Sequence, residues 1–180
     1  MNTVQPIRDP QKIKLVKQNL RKRNSRDWFL FNMGINTGLR ISDLLPLRVD
    51  DVRNQTHIII KEKKTGKSKR FPINYALKEL IESYTFDMEE GDFLFPSNKT
   101  DLPIQRGQAY KILNQAAAEA GLSEIGTHTM RKTFGYFYYK QTKDVAMLQK
   151  IFGHSAPSIT LRYIGIEQEQ MDESLFNFSL

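Results

Sequence analysis

The chain has 180 residues, a formal net charge of +7 and a pI near 9.5. This length suits one compact domain, and the lack of cysteine excludes disulfides and thiolate zinc sites. The longest apolar runs, such as WFLF, are too short to cross a bilayer, and the three histidines are not at metal-ligand spacing. We therefore expect a cytoplasmic protein without a metal site or cofactor. The positive charge fits a polyanion partner, and equally a solvated basic surface.

The first part of the chain predicts three helices after an irregular leader of residues 1–9. The first helix is capped by Asp9 and covers PQKIKLVKQNLRKR, whose apolar residues recur at helical spacing. The second, SRDWFLFNMGINTG, is capped by Ser25 and stopped by its final glycine. The third is a short helix in LRISDLLPLRV that ends near Pro46.

After the third helix, the helical spacing of apolar residues gives way to short runs rich in β-branched residues. Two or three short strands joined by hairpin turns are predicted for VDDVRNQTHIIIKEKKTGKSKRFPI. Six more helices follow, in NYALKELIESY, PIQRGQAYKILNQAAAEAG, THTMRKTFGYFYYKQ, DVAMLQKIFG, SAPSITLRY and EQEQMDESLF. Pro103 and Gly121 mark the start and stop of the second of these, and Thr127 caps the third. The fold class is α+β, mainly α-helical with a small antiparallel three-stranded sheet.

Two stretches carry arginines suited to binding an anion. Arg40 follows Gly38 in TGLRISDLL, at the start of a predicted helix with free backbone N–H groups. The alternative is a surface arginine paired with Asp43 one turn later. His128 and Arg131 lie three residues apart on one face of a predicted first turn, where the helix dipole favours an anion. The alternative there is a helix cap with a partly buried histidine.

Two further stretches carry groups that could move a proton or attack a phosphate. A lysine at the tip of the predicted hairpin can reach into a groove and donate a proton, although a solvated turn is the alternative. Tyr163 follows His154 by nine residues in GHSAPSITLRYIG. A free tyrosine is only ~0.1% phenolate at pH 7, a shortfall of about 4 kcal/mol, so a nucleophilic phenol needs cations or a base beside it. The alternative is an ordinary aromatic residue.

The joint order of these residues separates them from chance. Six polar residues follow one another with apolar helices between them: Arg40, Lys64, His128, Arg131, His154 and Tyr163. With this order and spacing, the chain resembles the catalytic domain of the tyrosine recombinase, or phage integrase, family over about residues 10–175. That family carries an arginine in a TGLR motif, a hairpin lysine, His-x-x-Arg, Gly-His, and a tyrosine nine residues beyond that histidine.

The resemblance implies DNA cleavage and rejoining without a metal or cofactor. Tyr163 would attack the scissile phosphate, forming a 3′-phosphotyrosyl link and freeing a 5′-hydroxyl. Arg40 and Arg131 would bind the non-bridging oxygens, with Asp43 orienting Arg40. Lys64 would act as general acid on the leaving 5′-oxygen.

The two histidines complete the implied site. His128 would accept the phenol proton, and His154 would hydrogen-bond the phosphate. Within the lysine-rich hairpin, the distances from Arg40 and from Pro72 favour Lys64, and two neighbouring lysines, Lys63 and Lys67, stay open as alternatives.

The implied partner is double-stranded DNA, held mainly through its phosphates. The candidate contacts are Lys63, Lys67, Arg106, Lys111, Lys132 and Lys140; Lys132 stands where many family members have histidine. We expect residues 1–180 to form a single catalytic domain with a tail over 166–180, and the N-terminal DNA-clamping domain of the family to be absent.

The resemblance also implies assembly. We expect a synaptic tetramer on DNA, with a monomeric state in solution as an open alternative. The tail EQEQMDESLFNFSL would dock on a neighbouring protomer or pack on its own domain. The expected function is site-specific integration or inversion of DNA. Two alternatives are a catalytically inactive DNA-binding relic of the fold and a relaxing activity like that of type IB topoisomerases.

Overall fold

The structure is a computed structural model that describes residues 4–61 and 68–179. Its helices are α1 (Pro10–Arg23), α2 (Ser25–Thr37), α3 (Ile41–Leu44), α4 (Tyr75–Thr85), α5 (Arg106–Glu119), α6 (Thr129–Thr142), α7 (Val145–Phe152), α8 (Pro157–Tyr163) and α9 (Ile166–Phe176). Strands β1 (His57–Lys61) and β2 (Ser68–Pro72) and a short 3-10 turn, Val49–Asp51, lie between α3 and α4. None of the described helices is long and apolar enough to cross a membrane.

The predicted α+β class is confirmed, with a smaller sheet than expected. Within the described residues two strands pair, antiparallel and with Ile59 opposite Arg70, rather than three. At the start of the predicted strand region, Val49–Asp51 forms a 3-10 turn instead of a strand. Outside that region, a single bridge joins Pro96 to Pro103.

Some helix boundaries differ from the prediction. Asp9 caps α1 as expected, accepting a hydrogen bond from the backbone N–H of Gln11 at 2.7 Å. The cap of α2 is Asn24 rather than Ser25, because Asn24 is extended and its side chain accepts from the N–H of Arg26 at 2.8 Å.

The starts of α5 and α6 also move. Helix α5 begins at Arg106 rather than at Pro103, because Pro103 is held in the bridge and Gln105 is still extended. His128 rather than Thr127 occupies the N-cap position of α6, and Thr127 is buried.

Helix α2 lies at the centre of the main core. Its buried residues include Phe29, Leu30, Phe31 and Met33, and it contacts α1, α3, α4, α5 and α6. Fully burying a side chain of this kind stabilises the fold by about 1.5–3 kcal/mol. This helix is therefore a rigid base for the segments that end beside it.

Close packing of α2 on α6 brings the predicted motifs together. Gly34 of α2 faces Met130 of α6 with so little space that an added Cβ would overlap the methionine side chain. The end of α2, which leads to Arg40, thus lies near the start of α6. A second apolar cluster then fixes α7, α8 and the start of α9 to α6; its buried members are Tyr136, Leu148, Phe152, Ile164 and Ile166.

Candidate active site

Five of the six predicted catalytic residues lie in one cluster. Arg40 and Arg131 donate to the same carbonyl oxygen, and both histidine rings lie beside Tyr163. The sixth, Lys64, lies outside the described residues, as do its alternatives Lys63 and Lys67. The five residues that meet, called the cluster residues below, are Arg40, His128, Arg131, His154 and Tyr163.

The two arginines are held by the carbonyl ends of two helices. Arg131 donates through Nη1 to the carbonyl of Gly38 at 2.6 Å and through Nη2 to that of Phe152 at 2.9 Å. Arg40 donates to the Phe152 carbonyl at 3.4 Å. The last carbonyls of a helix have no partner within it, so the ends of α2 and α7 supply acceptors for guanidinium groups.

Glycine makes this arrangement possible at the end of α2. Gly38 has a φ of 64°, and an added Cβ would overlap the ring of Phe134. A left-handed residue here ends the helix and turns the chain towards Arg40. The glycine of the TGLR motif is therefore required by backbone geometry, and it also provides an acceptor for Arg131.

Arg131 is a buried cation with neutral partners. It is 5% exposed, and its guanidinium stacks on the ring of Phe152 at 4.1 Å from the centroid. Burial lowers the pKa of Arg131 to about 10, while Tyr163 opposes the shift and Arg40 adds to it. Within the described residues no carboxylate lies at ion-pair distance from Arg131. An anion bound here would offset the cost of burying this charge.

Arg40 is more open than Arg131. Its Nη1 lies 4.0 Å from the carboxylate of Asp43, one turn along α3. This long i,i+3 contact is the surface pairing that the sequence left as an alternative. The side chain of Arg40 is 48% exposed, so it keeps donors directed to solvent.

Tyr163 and His128 are matched as proton donor and acceptor. The Tyr163 hydroxyl lies 3.2 Å from Nδ1 of His128. Burial raises the pKa of Tyr163, opposed by the charges of Arg131 and Arg40, so the phenol carries its proton at neutral pH. Desolvation, followed by nearby cations of which Arg106 is the largest contributor, lowers the pKa of His128, so its imidazole is neutral. Protonated at Nε2, this ring accepts the phenol hydrogen bond.

His154 is oriented by residues that the sequence did not single out. Its Nδ1 lies 3.0 Å from Oγ1 of the fully buried Thr160, and its ring centroid lies 5.1 Å from that of Tyr163. Gln149 binds its backbone from both directions, donating through Nε2 to the His154 carbonyl and accepting from its N–H. Burial lowers the pKa of His154, with Arg131 and Arg40 adding to the effect. When Thr160 donates to Nδ1, the Nε2–H of His154 is left to donate to a ligand.

The central residue of the cluster is one that sequence reasoning missed. Phe152 is fully buried; its carbonyl accepts from both arginines, and its ring lies 5.6 Å from that of Tyr163 and 5.5 Å from that of His154. Any residue can supply a backbone carbonyl, so the sequence does not mark this acceptor. It showed only that an apolar residue precedes Gly153.

The described candidates for DNA contact occupy different settings. Arg106 and Lys111 are exposed on α5. Lys140 is exposed on α6 and donates to Glu169 of α9. Lys132 is half-buried: its ammonium donates to the carbonyl of Val4 at 2.8 Å and lies 4.9 Å from the centroid of the Tyr163 ring.

Comparison with known proteins identifies the family. The family model described as "Phage integrase family" matches residues 9–170. The chain belongs to this family of tyrosine recombinases. Among curated relatives, this phage integrase chain is 56% identical over 169 residues to the probable integrase/recombinase YoeC of Bacillus subtilis (strain 168), a match covering 94% of this chain and 93% of YoeC.

More distant members extend the comparison. The tyrosine recombinase XerC of Staphylococcus saprophyticus is 27% identical over 165 residues, covering 89% of this chain and 56% of XerC. The chain thus spans about half the length of XerC. A crystal structure of the XerH site-specific recombinase, bound to a palindromic difH substrate in a post-cleavage complex, matches with a TM-score of 0.74 and 19% identity. That match covers 97% of this chain and 53% of XerH and confirms the fold of the catalytic domain.

Proposed function

We propose that this protein is a site-specific DNA recombinase that cuts and rejoins strands through a covalent link between Tyr163 and a DNA 3′-phosphate. The observation that carries the proposal is the meeting of a phenol, a neutral imidazole and two guanidinium groups in one cluster. Membership of the phage integrase family and the similarity to XerH and YoeC support it.

The first chemical step forms one phosphate ester as it breaks another. The Tyr163 oxygen attacks phosphorus, its proton passes to Nδ1 of His128, and the bond from phosphorus to the 5′-oxygen breaks. Lys64, as the resemblance implies, gives a proton to the leaving 5′-oxygen. The 5′-hydroxyl of another strand then attacks the phosphotyrosine and gives its proton back to Lys64, and Tyr163 leaves with a proton from His128. The number of phosphodiester bonds is unchanged, so no ATP is needed.

Cations near the attacked phosphate would stabilise the transition state. Arg131 and Arg40 would bind the non-bridging oxygens, where negative charge increases, and His154 would add a hydrogen bond from Nε2. Donors that are fixed in a partly desolvated site act strongly on such charge, and removing one typically costs about 10²–10³ in rate. The two carbonyls that hold Arg131 keep it in place before substrate arrives.

Double-stranded DNA is the proposed substrate, held through phosphates. Arg106, Lys111 and Lys140 are the exposed candidates for backbone contact, and Lys63 and Lys67 stay predictions from the hairpin. If ~6 phosphates are neutralised, the plot of log K against log salt has a slope near −5.

We further propose that the protein assembles into a homo-oligomer on DNA, through α9. This helix and the residues that follow it leave four apolar side chains exposed, Met171, Leu175, Phe176 and Phe178. Its first turn is attached to its own domain through Glu169, which pairs with Arg8 and Lys140. The apolar end would then dock on a neighbouring protomer, in the cytoplasm where the DNA is.

Covalent capture tests the proposed chemistry. The protein is incubated with a pool of nicked duplexes that carry a randomised central segment, so that cleavage releases a short strand and traps the adduct. We expect a covalent protein–DNA adduct enriched in a defined sequence, and none with Tyr163→Phe, which still binds the same duplex. An inactive relic would form no adduct with either protein. If the protein forms the adduct and relaxes a supercoiled plasmid but never joins a cut strand to a second duplex, its activity is topoisomerase-like instead.

A further inference from the structure

The described part of the predicted irregular leader packs beside the site. Residues 4–8, called the N-terminal segment below, run beside the start of α6. The N–H of Ile7 donates to Oγ1 of Thr133 at 2.9 Å, and the Ile7 side chain is 1% exposed. The N–H of Gln5 donates to the carbonyl of Glu124 at 2.9 Å. A buried anchor and two backbone hydrogen bonds fix this segment in place.

One contact of the segment leads to the ring of Tyr163. The carbonyl of Val4 accepts a hydrogen bond from Nζ of Lys132 at 2.8 Å, and the same Nζ lies 4.9 Å from the Tyr163 ring centroid. A cation over an aromatic face is attracted to the ring, and the attraction is stronger where the pair is partly removed from water. Lys132 is half-buried, so its contact with the Tyr163 ring is partly desolvated.

A second contact leads to the backbone just beyond Tyr163. The guanidinium of Arg8 donates to the carbonyl of Gly165 at 3.4 Å and lies 3.6 Å from Glu169 in the first turn of α9. Gly165 has a φ of 78°, and an added Cβ would overlap the Arg8 guanidinium. Arg8 therefore packs directly on the turn that joins α8 to α9.

We propose that the N-terminal segment positions Tyr163, by holding Lys132 against its ring and by holding the Gly165 turn that follows it. The inference rests on the proposed function, because positioning matters only if Tyr163 is the nucleophile. It assigns Lys132 and Arg8 as positioning residues and makes residues 4–8 part of the active-site scaffold.

The proposal competes with the sequence-based role of Lys132 as a DNA backbone contact. A phosphate contact would weaken binding and reduce the salt slope by about 1, with no effect on cleavage once DNA is saturating. A positioning residue has the opposite signature, because the pre-formed nucleophile is lost while affinity is kept. The two roles are thus separated by measuring affinity and single-turnover cleavage on the same variant.

The test compares Lys132→Met, Lys132→Arg and Arg8→Gln with a matched control. Lys12→Met is the control, because the Lys12 ammonium also tethers distant segments, donating to the carbonyl of Ala120 at 2.6 Å. With the nicked duplex recovered by the wild-type protein, we expect Lys132→Met to slow saturated cleavage roughly tenfold and Arg8→Gln by roughly threefold. Lys132→Arg keeps the charge and the donor and restores most of the rate, and Lys12→Met cleaves as wild type.

A readout that needs no DNA keeps this test independent of the proposed function. In the free protein labelled with ¹³C-tyrosine, the Tyr163 signal is assigned by its loss in Tyr163→Phe. It should shift or broaden in Lys132→Met and stay unchanged in Lys12→Met. An unchanged signal in Lys132→Met overturns the inference, as does a reduced salt slope with normal saturated cleavage. If the wild type forms no adduct while the signal moves as expected, the proposed function fails and the positional contact stands.

Discussion

Replacing His128 with glutamine should remove the base that accepts the Tyr163 proton while keeping a polar side chain of similar size. The hydroxyl lies 3.2 Å from Nδ1, and the lowered pKa of His128 keeps that nitrogen free to accept a proton at neutral pH. General-base catalysis typically contributes about 10²–10⁴ in rate. An amide cannot take the proton, so we expect a loss within that range.

The structure also fixes how the loss depends on pH. Without a base the reactive species is the phenolate, about 0.1% of an ordinary tyrosine at pH 7, and the raised pKa of Tyr163 makes it scarcer still. The variant should gain about tenfold in rate per pH unit up to the pKa of Tyr163. The wild type should be nearly flat above the pKa of His128 and should lose rate as pH falls through that value, which lies below 6.5.

Single-turnover adduct formation on a nicked duplex, measured from about pH 5 to pH 9, gives both profiles. His57→Gln is the matched control, because His57 lies on β1 and hydrogen-bonds Thr56 rather than a cluster residue. It should cleave as wild type. A His128→Gln variant that keeps at least half the wild-type rate with a flat profile would refute the assignment of His128 as the base.

Three further predictions concern Arg131, the packing around Gly135 and the need for Mg²⁺. Arg131→Lys loses the fork that reaches the carbonyls of Gly38 and Phe152, so saturated cleavage should fall about 10²–10³-fold with binding nearly unchanged; a near-normal rate would contradict the proposed clamp. Gly135→Ala places a Cβ 2.7–2.8 Å from Ile164 and Phe152, so urea unfolding should show a loss of about 1–3 kcal/mol, whereas Gly107→Ala, with open space, should be neutral or stabilising. Adduct yield should be the same in EDTA as in Mg²⁺, and strict Mg²⁺ dependence would count against stabilisation by side-chain cations.

Local patterns were sufficient for much of the fold. Apolar periodicity predicted the helices, and Asp9 and Gly38 were assigned correctly because a cap and a left-handed stop act within a few residues of the chain. The assignment of Ser25 as the cap of α2 was wrong, because the adjacent Asn24 is also a good capping residue and only the backbone angles distinguish the two. The strand count was too high for the described residues, since Val49–Asp51, at the start of the predicted strand region, forms a 3-10 turn.

The clustering of the five side chains could be predicted from the sequence, whereas the backbone atoms that hold them could not. The order of Arg40, His128, Arg131, His154 and Tyr163 was readable because each side chain belongs to a motif of fixed spacing. The Phe152 carbonyl has no such signature, although both arginines bind it.

Lys132 illustrates the same limit at long range. Its charge alone indicated a phosphate contact, whereas its ammonium meets the carbonyl of Val4, 128 residues away. This contact follows from the packing of the N-terminal segment on α6, which the sequence around Lys132 does not indicate.

The most direct test of the central claim is to locate the bond between protein and DNA. The adduct trapped on a nicked duplex is digested with protease and nuclease, and the nucleotide-linked peptide is sequenced by mass spectrometry. We predict a single linked peptide whose modified residue is Tyr163, joined to a 3′-phosphate. A nucleotide on any other residue, or a link through a 5′-phosphate, would contradict the account.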